Sequence, residues 1–392
     1  MISNGYIERQ ISDKIKGSFK KFPVVTLTGP RQAGKSTMLQ KIFPELPYVN
    51  FESINTLTLA KSDPEGFVSE YKNGAIFDEI QKVPEIFSAI QVAVDKSKKS
   101  SLFILSGSQN FLLMEKVSQT LAGRAAIFHL LSFSQQELGK HSRQTLNEKM
   151  FFGGYPPIFD RKISPQDWLD GYVQTFIERD IRSLKNVKDL DQFRTFVLMC
   201  AHRSGQILDL TSLGNDCGIS SHTAKSWLSL LETSFIVFTL KPFYKNFNKR
   251  LIKSPKLYFW DTGLLCFFLG IKDPQQLNFH SHLGNIFETY ILSEIRKSFL
   301  NAQRKASIHF WHDKVCEVDL LIDVEFDKPL AIEIKAGKTY NNDYRKSLDY
   351  WQKISKSSLP KYIIYGGQEE QNLDRNIKLI SALKLDEFLQ IL

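Results

Sequence analysis

One eight-residue motif constrains the fold of this chain more than any other feature of its sequence. It runs Gly29-Pro30-Arg31-Gln32-Ala33-Gly34-Lys35-Ser36 and fits the pattern G-x-x-x-x-G-K-[ST], between the apolar run VVTLT and the helical stretch STMLQKIF. Glycines let backbone amides point at phosphates, Lys35 adds a mobile positive charge, and the Ser36 hydroxyl ligates Mg²⁺. Chance also produces short glycine motifs, but the strand–loop–helix context favours ATP phosphates. The expected binding residues are Gly29, Pro30, Arg31, Gln32, Ala33, Gly34, Lys35, Ser36 and Thr37.

Two adjacent carboxylates follow a second apolar strand. The run Ala75-Ile76-Phe77 leads directly into Asp78 and Glu79. Downstream of a phosphate-binding loop, this arrangement predicts that Asp78 holds Mg²⁺, directly or through water, and that Glu79 polarises the attacking water. The alternative is a strand end followed by an acidic helix cap. Together the two motifs predict an ATPase.

A third buried strand, LFIL, ends in a polar cluster. In P-loop ATPases with an additional strand, such a strand lies between the P-loop strand and the acidic strand, and a polar residue at its tip orients the water. Ser108 and Gln109 are the candidates, and a polar turn is the alternative. Arg124, in the segment LAGRA, is a candidate for stabilising γ-phosphate charge, with an exposed structural arginine as the alternative.

A set of ordered segments carries a family resemblance: GPRQAGKST, FDEIQKVPEI, LSGSQNFLL, LAGRA and SFSQQEL. The set resembles one group of prokaryotic AAA+ ATPases, in which the ATPase module precedes a C-terminal region of unknown function. The resemblance continues at FFGGYPPIF and YVQTFIERDI and covers most of the chain. It implies an AAA+-type core and no known substrate. AAA+ proteins often complete a site with a neighbour's arginine, so a homo-oligomer is an open expectation, with Arg179 and Arg182 as candidates by type.

The order of predicted elements divides the 392 residues into four regions. Short apolar runs alternate with helices up to about residue 140, which predicts a parallel sheet in an α/β fold. The expected domains are a P-loop AAA+ core over 1–140, a helical extension over 141–200, a winged helix over 201–248 and an α/β domain resembling restriction endonucleases over 249–392.

Composition adds weaker constraints. Lys and Arg number 51 against 42 Asp and Glu, and the net charge of +9 favours a polyanionic partner such as nucleic acid without establishing one. The cysteines lack C-x-x-C spacing, so we expect reduced thiols rather than a zinc ribbon. We see no secretory leader and no apolar run of 18 residues, and we expect a cytoplasmic protein without a membrane partner. Pairs of histidines in the C-terminal half do not predict a zinc site; they are His280, His282, His309 and His312.

A helix–turn–helix pattern lies in the third region. A short helix over 210–217 and the turn Gly218-Ile219-Ser220 precede a second helix over 221–232, whose apolar residues follow helical spacing, and a strand follows at 235–240. This order describes a winged helix-turn-helix. Candidate DNA contacts are His222, Thr223, Lys225 and Ser226 in the groove, and Lys241, Lys245, Lys249 and Arg250 at phosphates. A packing or interaction module is the alternative.

Carboxylates and a lysine recur on two predicted strands near the C-terminus. Asp319 lies in EVDLLI, Glu333 and Lys335 lie in AIEIK, and Glu288 lies on an upstream helix. This order resembles the PD-(D/E)XK nuclease-like fold, although Glu317-Val318-Asp319 replaces the usual Pro-Asp pair. Asp319 and Glu333 would bind Mg²⁺ or Mn²⁺, and Lys335 would orient the water. Salt-bridged residues on a half-exposed hairpin would give the same spacing.

These observations favour an ATP-driven protein that handles DNA through the winged helix and the nuclease-like domain. A second hypothesis is a regulatory or signalling ATPase whose C-terminal domain recruits a protein partner and does not cleave. A third, a metabolic P-loop kinase, requires an acceptor-binding motif that we do not find in the sequence.

Overall fold

Five parallel strands form the sheet of the first compact unit, which comprises Met1–Phe133, Thr233–Phe235 and Leu300–Gln303. The strands are β1 (Val24–Thr28), β2 (Tyr48–Asn50), β3 (Ala75–Asp78), β4 (Phe103–Gly107) and β5 (Ala125–His129). Their order across the sheet is β2-β3-β4-β1-β5. The strand β4 therefore lies between β1 and β3, as the additional-strand hypothesis predicted.

We describe a computed structural model, and its described residues are 5–108, 113, 116–117, 119–161, 163–176, 187, 189–243, 253–304, 307–313, 315–325 and 328–392. Six residues singled out in the sequence lie outside these ranges: Gln109, Arg179, Arg182, Lys245, Lys249 and Arg250.

Apolar side chains cover both faces of the first sheet. Successive strand residues point to opposite faces. One face carries Val24, Phe77 and Phe103, and the other carries Val25 and Ile76. Burial on both faces explains why these strands read as continuous apolar runs rather than as alternating ones. Five helices of this unit are α1 (Ser12–Phe19), α2 (Lys35–Ile42), α3 (Ile54–Ser62), α4 (Pro64–Ser69) and α5 (Ile86–Ser97).

The second unit comprises Ser134–Glu232, Ile236–Phe299 and Arg304–Leu392. Its helices before the C-terminal sheet are α6 (Gln135–Leu138), α7 (Leu146–Phe152), α8 (Pro156–Asp160), α9 (Pro165–Thr175), α10 (Leu190–His202), α11 (Leu210–Asp216), α12 (Ser221–Thr233), α13 (Thr262–Phe268) and α14 (Leu283–Asn301). Side chains cap several of these helices: Ser134 and Thr145 form capping boxes with Glu137 and Glu148, and Asp209 caps α11. Gly153, Gly154 and Tyr155 separate α7 from α8.

A two-stranded ribbon and a six-stranded sheet complete the second unit. The ribbon pairs β6 (Val237–Leu240) with β7 (Lys256–Phe259). The larger sheet has the order β12-β13-β11-β10-β9-β8. Its strands are β8 (Ser307–His312), β9 (Glu317–Glu325), β10 (Lys328–Lys335), β11 (Lys361–Tyr365), β12 (Gln371–Asn372) and β13 (Ile377–Ser381), with helices α15 (Lys346–Ser355) and α16 (Leu385–Ile391).

The predicted hairpin at the C-terminal carboxylates is present, because β9 and β10 pair antiparallel. The strand β10 then pairs parallel with β11, and α15 connects the two. Along the chain the elements run α14, β8, β9, β10, α15 and β11, which is a helix, three antiparallel strands, a helix and a parallel strand. Short 3₁₀ helices lie at Ile80–Lys82, Gly139–His141, Pro274–Phe279, Asn342–Arg345 and Ala382–Lys384.

Candidate functional site

The glycine-rich loop leaves the C-terminal end of β1 and ends at the first turn of α2. Gly29 and Gly34 have φ values of 151° and 91°, a region that side-chain-bearing residues rarely adopt. A Cβ atom on Gly29 would also lie 1.9 Å from the carbonyl oxygen of Leu130. Lys35 begins α2, and its Nζ donates to the carbonyl oxygens of Gly29 at 2.9 Å and Pro30 at 2.8 Å. The loop therefore curls around the ammonium group that is expected to meet phosphates.

Arg9 supports this loop from the segment before α1. Its guanidinium donates to the carbonyl oxygens of Ala33 at 2.8 Å and Leu131 at 2.7 Å, and it lies 4.6 Å from the ring centre of Phe133. The side chain is 3% exposed. Two hydrogen bonds from one planar guanidinium fix the loop to the segment after β5. Arg9 could not be singled out from the sequence, because a lone arginine before a helix carries no motif.

Asp78 is the centre of the polar contacts at the end of β3. Its Oδ2 accepts hydrogen bonds from Ser36 Oγ at 2.6 Å and from the Tyr48 hydroxyl at 2.5 Å. Its Oδ1 accepts from Ser106 Oγ at 2.5 Å and from the Glu79 amide at 3.1 Å. Burial and the neighbouring carboxylate raise the pKa of Tyr48, so this hydroxyl stays a donor. Ser36 and Asp78, predicted to share Mg²⁺, are thus brought together.

Glu79 is held by two polar side chains. Its backbone has a φ of 54°, which is uncommon for a residue with a side chain and is enriched at functional sites. Its Oε2 accepts from Gln81 Nε2 at 2.5 Å and from Ser108 Oγ at 3.2 Å. A Cβ atom on Gly107 would lie 2.2 Å from Gln81 Oε1, so glycine at this position leaves room for the amide. Ser108 therefore lies at the predicted place, and Gln81 is a further contact that the sequence did not single out.

Arg124 lies away from these residues. It precedes β5 and its backbone carbonyl accepts from the Val24 amide, at the edge of the sheet opposite the glycine-rich loop. Its guanidinium binds the Asp95 carboxylate in α5 through two hydrogen bonds, of 2.7 and 2.9 Å. Five residues of strand separate the two edges, so Arg124 does not reach the loop of its own chain. The predicted contact of Arg124 with the γ-phosphate is therefore not made within the chain. Arg124 instead forms an exposed ion pair with Asp95.

A second polar cluster lies on the β9–β10 hairpin. Asp319 Oδ2 accepts from the Ile334 amide at 2.8 Å and lies 3.7 Å from Lys335 Nζ, which also contacts the Glu333 carboxylate. Ser347, in the first turn of α15, donates to Glu333 Oε2 at 2.6 Å. The predicted neighbours Asp319, Glu333 and Lys335 are therefore in contact, because strand period two and antiparallel pairing place them on one face.

Glu288 extends this cluster from α14. Its Oε1 accepts from the Tyr258 hydroxyl at 2.5 Å and lies 3.1 Å from Lys256 Nζ. The same ammonium contacts Glu317 Oε1. The other oxygen of that carboxylate, Glu317 Oε2, lies 3.0 Å from His312 Nδ1. Lys256 and Tyr258 could not be singled out from the sequence, since both lie in the ribbon strand β7 and belong to no motif.

Burial and mutual repulsion shift the titration of the cluster. Burial, and next the Asp319 charge, raise the pKa of Glu333 to about 8. Burial raises the pKa of Glu288 to about 7, against the opposing effect of Lys256. Burial alone would lower the pKa of Lys335, but the carboxylates of Asp319 and Glu333 outweigh it and the pKa is raised. Burial is therefore the main cause of the raised pKa values of both glutamates, while the neighbouring carboxylates keep Lys335 charged.

The donor set of the cluster suits only some metals. Among the residues that the structure describes, no group of three or more His, Cys, Asp or Glu is arranged to hold a metal ion. Two carboxylates are nevertheless enough for Mg²⁺, which keeps several of its waters. Asp319 and Glu333 fit that requirement in donor chemistry, while both already contact Lys335.

The helix–turn–helix segment has the predicted order of elements. The turn after α11 contains Gly218 with a φ of 66°, and Ser220 Oγ accepts from the Thr223 amide at the start of α12. His222 and Lys225 are exposed. The apolar face of α12 is buried, with Ala224, Trp227, Leu228 and Leu231 inside. The ribbon β6–β7 follows, and Lys241 next to it is exposed.

The geometry of the first unit defines an AAA-type P-loop ATPase domain. Residues 21–139 match a family described as "AAA domain". Residues 143–275 and 283–385 match two families described as "Domain of unknown function", DUF8612 and DUF4143. In the described part of the chain, no helix has the length and apolar character needed to cross a membrane.

Two curated relatives show the family to which this chain belongs. An uncharacterized protein of Mycobacterium bovis and one of Mycobacterium tuberculosis are each 30% identical over 335 residues, covering 84% of this chain and 74% of theirs. This chain belongs to the same family as those two proteins. Among solved structures, a Walker-type ATPase of Pyrococcus abyssi is 15% identical, with a TM-score of 0.47, 67% of this chain covered and 96% of that one.

Proposed function

We propose that this chain binds and hydrolyses ATP with Mg²⁺ at the site formed by the glycine-rich loop and the end of β3. The observation that carries this proposal is the hydrogen bond from Ser36 to Asp78, since these are the two residues expected to share the metal ion. Mg²⁺ held there would neutralise charge on the β- and γ-phosphates. Lys35 would exchange its carbonyl partners for phosphate oxygens, which bind an ammonium more strongly because they are charged.

Glu79 is the base in this proposal. It would accept the hydrogen bond of the attacking water, while Gln81 and Ser108 keep its carboxylate oriented. Its contacts come from the end of β4 and the turn after β3, so the base sits beside Asp78 rather than on a mobile loop tip.

Nucleotide binding tests the first step. Lys35→Ala should abolish ATP binding in a fluorescence or calorimetric titration of the full chain. Lys41→Ala is the matched control, because Lys41 is an exposed lysine in the same helix and should leave binding unchanged. Unaltered binding in Lys35→Ala would show that nucleotide binds elsewhere.

An arginine from a neighbouring copy would complete the ATPase site, and the chain would then act as a homo-oligomer. Within the chain, Arg124 is engaged by Asp95 and does not take this part. Light scattering with and without ATP tests this point: ATP-dependent assembly of Glu79→Gln supports it, and a monomer under both conditions contradicts it.

We further propose that the C-terminal cluster cleaves phosphodiester bonds in DNA. The observation that favours it is the contact of Asp319, Glu333 and Lys335 on the hairpin that follows α14. Mg²⁺ or Mn²⁺ held by the two carboxylates would polarise the scissile phosphate. Lys335, about a third exposed, would orient the water. Exposed Lys225 of the helix–turn–helix would contact the groove, and exposed Lys241 would meet phosphates.

A cleavage panel separates this activity from the alternative of a regulatory ATPase that recruits a protein partner. Single-stranded, duplex and branched DNA should be incubated with Mn²⁺, with and without ATP. Cleavage should disappear in Lys335→Ala and persist in Lys353→Ala, an exposed lysine of α15. Cleavage should also persist in Lys35→Ala unless ATP gates it. No cleavage and no salt-sensitive DNA binding would leave the recruiting ATPase as the better account.

A further inference from the structure

A second lysine lies inside the C-terminal cluster. Lys256 begins β7 and is 3% exposed, although its residue type is almost never fully buried without a partner. Its Nζ lies 3.1 Å from Glu288 Oε1, contacts Glu317 Oε1, and is 5.5 Å from the ring centre of Phe310. The ribbon thus delivers an ammonium between a carboxylate of α14 and a carboxylate of β9.

The two lysines divide the cluster into two carboxylate pairs. Lys256 contacts Glu288 and Glu317, and Lys335 contacts Asp319 and Glu333. Lys335 is about a third exposed, so solvent reaches its ammonium group. Lys256 is enclosed, and Tyr258 also donates to Glu288. One pair therefore contacts an accessible lysine and the other contacts an internal one, while Glu288 and Glu317 are themselves 14% and 28% exposed.

We propose that Lys256 is a built-in cation: it occupies the position between Glu288 and Glu317 that a divalent ion would otherwise take, and it confines exchangeable metal to Asp319 and Glu333. A compact ammonium held by carboxylates from two elements performs the same charge neutralisation and bridging as a bound metal ion. The first half of the proposal stands on these contacts. The second half rests on the cation proposed above for Asp319 and Glu333.

The pair Glu288 and Glu317 depends on this charge. Among the described residues, removal of Lys256 leaves only His312 Nδ1 within ion-pair distance of these carboxylates, at Glu317. Buried carboxylates without a counter-ion bind a proton or a metal ion. If Lys256 had a purely structural role, its substitution would cost only packing interactions, and added metal would not restore them. Metal rescue is therefore the readout that separates the two roles.

The test measures the melting temperature of the full chain in EDTA and in Mn²⁺. Lys256→Met should melt below the wild type in EDTA, and saturating Mn²⁺ should raise its melting temperature by about 5 °C more than it raises that of the wild type. Lys361→Met is the matched control, because Lys361 is also 3% exposed and its Nζ has no hydrogen-bond partner among the described residues. It should show no extra response to Mn²⁺.

Two further variants keep the test decisive. Lys256→Met/Glu288→Gln removes one buried charge of each sign, so it should lose the extra Mn²⁺ response and recover folding if Lys256→Met alone does not fold. Lys256→Arg keeps the positive charge and should show the wild-type response. An equal Mn²⁺ response in Lys256→Met and the wild type, or a double variant no more foldable than an unfolded single variant, would overturn the proposal.

Cleavage is not among these readouts. A chain that cleaves no DNA but shows the extra Mn²⁺ response in Lys256→Met rejects the nuclease and keeps the built-in cation. A chain that cleaves DNA without that response does the reverse.

Discussion

The hydroxyl of Ser36 donates a 2.6 Å hydrogen bond to Oδ2 of Asp78 and so joins the first turn of α2 to the end of β3. The two residues are 42 positions apart and belong to two motifs that were each recognised separately in the sequence. Two other hydroxyls, from Tyr48 and Ser106, bind the same carboxylate. Asp78 is therefore oriented by side chains from three neighbouring elements, α2, β2 and β4.

Tyr48→Phe should weaken ATP hydrolysis while the fold is kept. The change removes the hydroxyl that donates to Asp78 Oδ2 at 2.5 Å and leaves the ring in place. Loss of a group that orients a metal ligand costs about 10–100-fold in metal affinity or activity. We therefore expect a higher Mg²⁺ requirement in a steady-state ATPase titration. Tyr71→Phe, in the same unit, should match the wild type. If both variants required the same Mg²⁺ concentration, Tyr48 would not contribute to the metal site.

Gln81→Ala should lower kcat for ATP hydrolysis and change ATP affinity little. Gln81 donates a 2.5 Å hydrogen bond to Glu79. It does not belong to the glycine-rich loop at residues 29–36, so we expect ATP affinity to change little. Without it the carboxylate has only Ser108 as a side-chain donor among the described contacts. A positioning loss of this kind is worth roughly 1.5–3 kcal/mol, or about tenfold or more in rate.

Gly107→Ala provides an independent check on the same contact. The added Cβ would lie 2.2 Å from Gln81 Oε1 and would displace the amide from Glu79. Gly107→Ala and Gln81→Ala should therefore share one phenotype, and the double variant should be no worse than either. Additive losses in kcat would mean that the two residues act separately.

Arg9→Met should destabilise the first unit and weaken nucleotide binding together. The variant leaves the carbonyl oxygens of Ala33 and Leu131 without their guanidinium partner. Each lost hydrogen bond from a charged donor is worth about 1.5–3 kcal/mol. Denaturant unfolding and an ATP titration should shift in parallel, and Arg9→Lys should not restore them, because one ammonium lacks the planar fork that reaches both carbonyls. Full recovery in Arg9→Lys would show that only charge matters.

Ionisation of Glu333 should make the free energy of unfolding depend on pH. Its pKa rises from the usual value near 4.5 to about 8 in the folded chain, so the folded state binds the proton more tightly than the unfolded state. The resulting stabilisation is complete below pH 4.5 and is lost as the pH rises from there towards 8. Glu333→Gln should therefore flatten the decline in unfolding free energy between pH 5 and 8.5 in metal-free buffer. A variant as steep as the wild type would contradict the shifted titration.

Sequence reasoning worked best where the chemistry is local. Runs such as Val24–Thr28 predict parallel buried strands because both faces of the sheet are covered, and the residues just after such strands meet at one edge. Asp78, Glu79 and Ser108 could be predicted for that reason. Antiparallel pairing likewise predicted the contact of Asp319 with Glu333 and Lys335.

Contacts across long sequence separations could not be predicted in the same way. Arg9 reaches the loop 24 residues away, and Lys256 reaches carboxylates 32 and 61 residues away. Neither lies in a motif, and each depends on where other elements bring its side chain. Arg124 shows the opposite error: a motif-like position suggested a phosphate contact, but Arg124 lies just before the start of β5, at the end of the sheet opposite the glycine-rich loop.

Turnover by Glu79→Gln tests the central claim most directly. The full-length variant should bind ATP with Mg²⁺ as tightly as the wild type, because Lys35, Ser36 and Asp78 are unchanged, while its hydrolysis should fall by about 10²-fold or more, the loss expected for a general base. Lys35→Ala in parallel should lose binding itself. Retained hydrolysis in Glu79→Gln, or turnover insensitive to both changes, would contradict the assignment of this site.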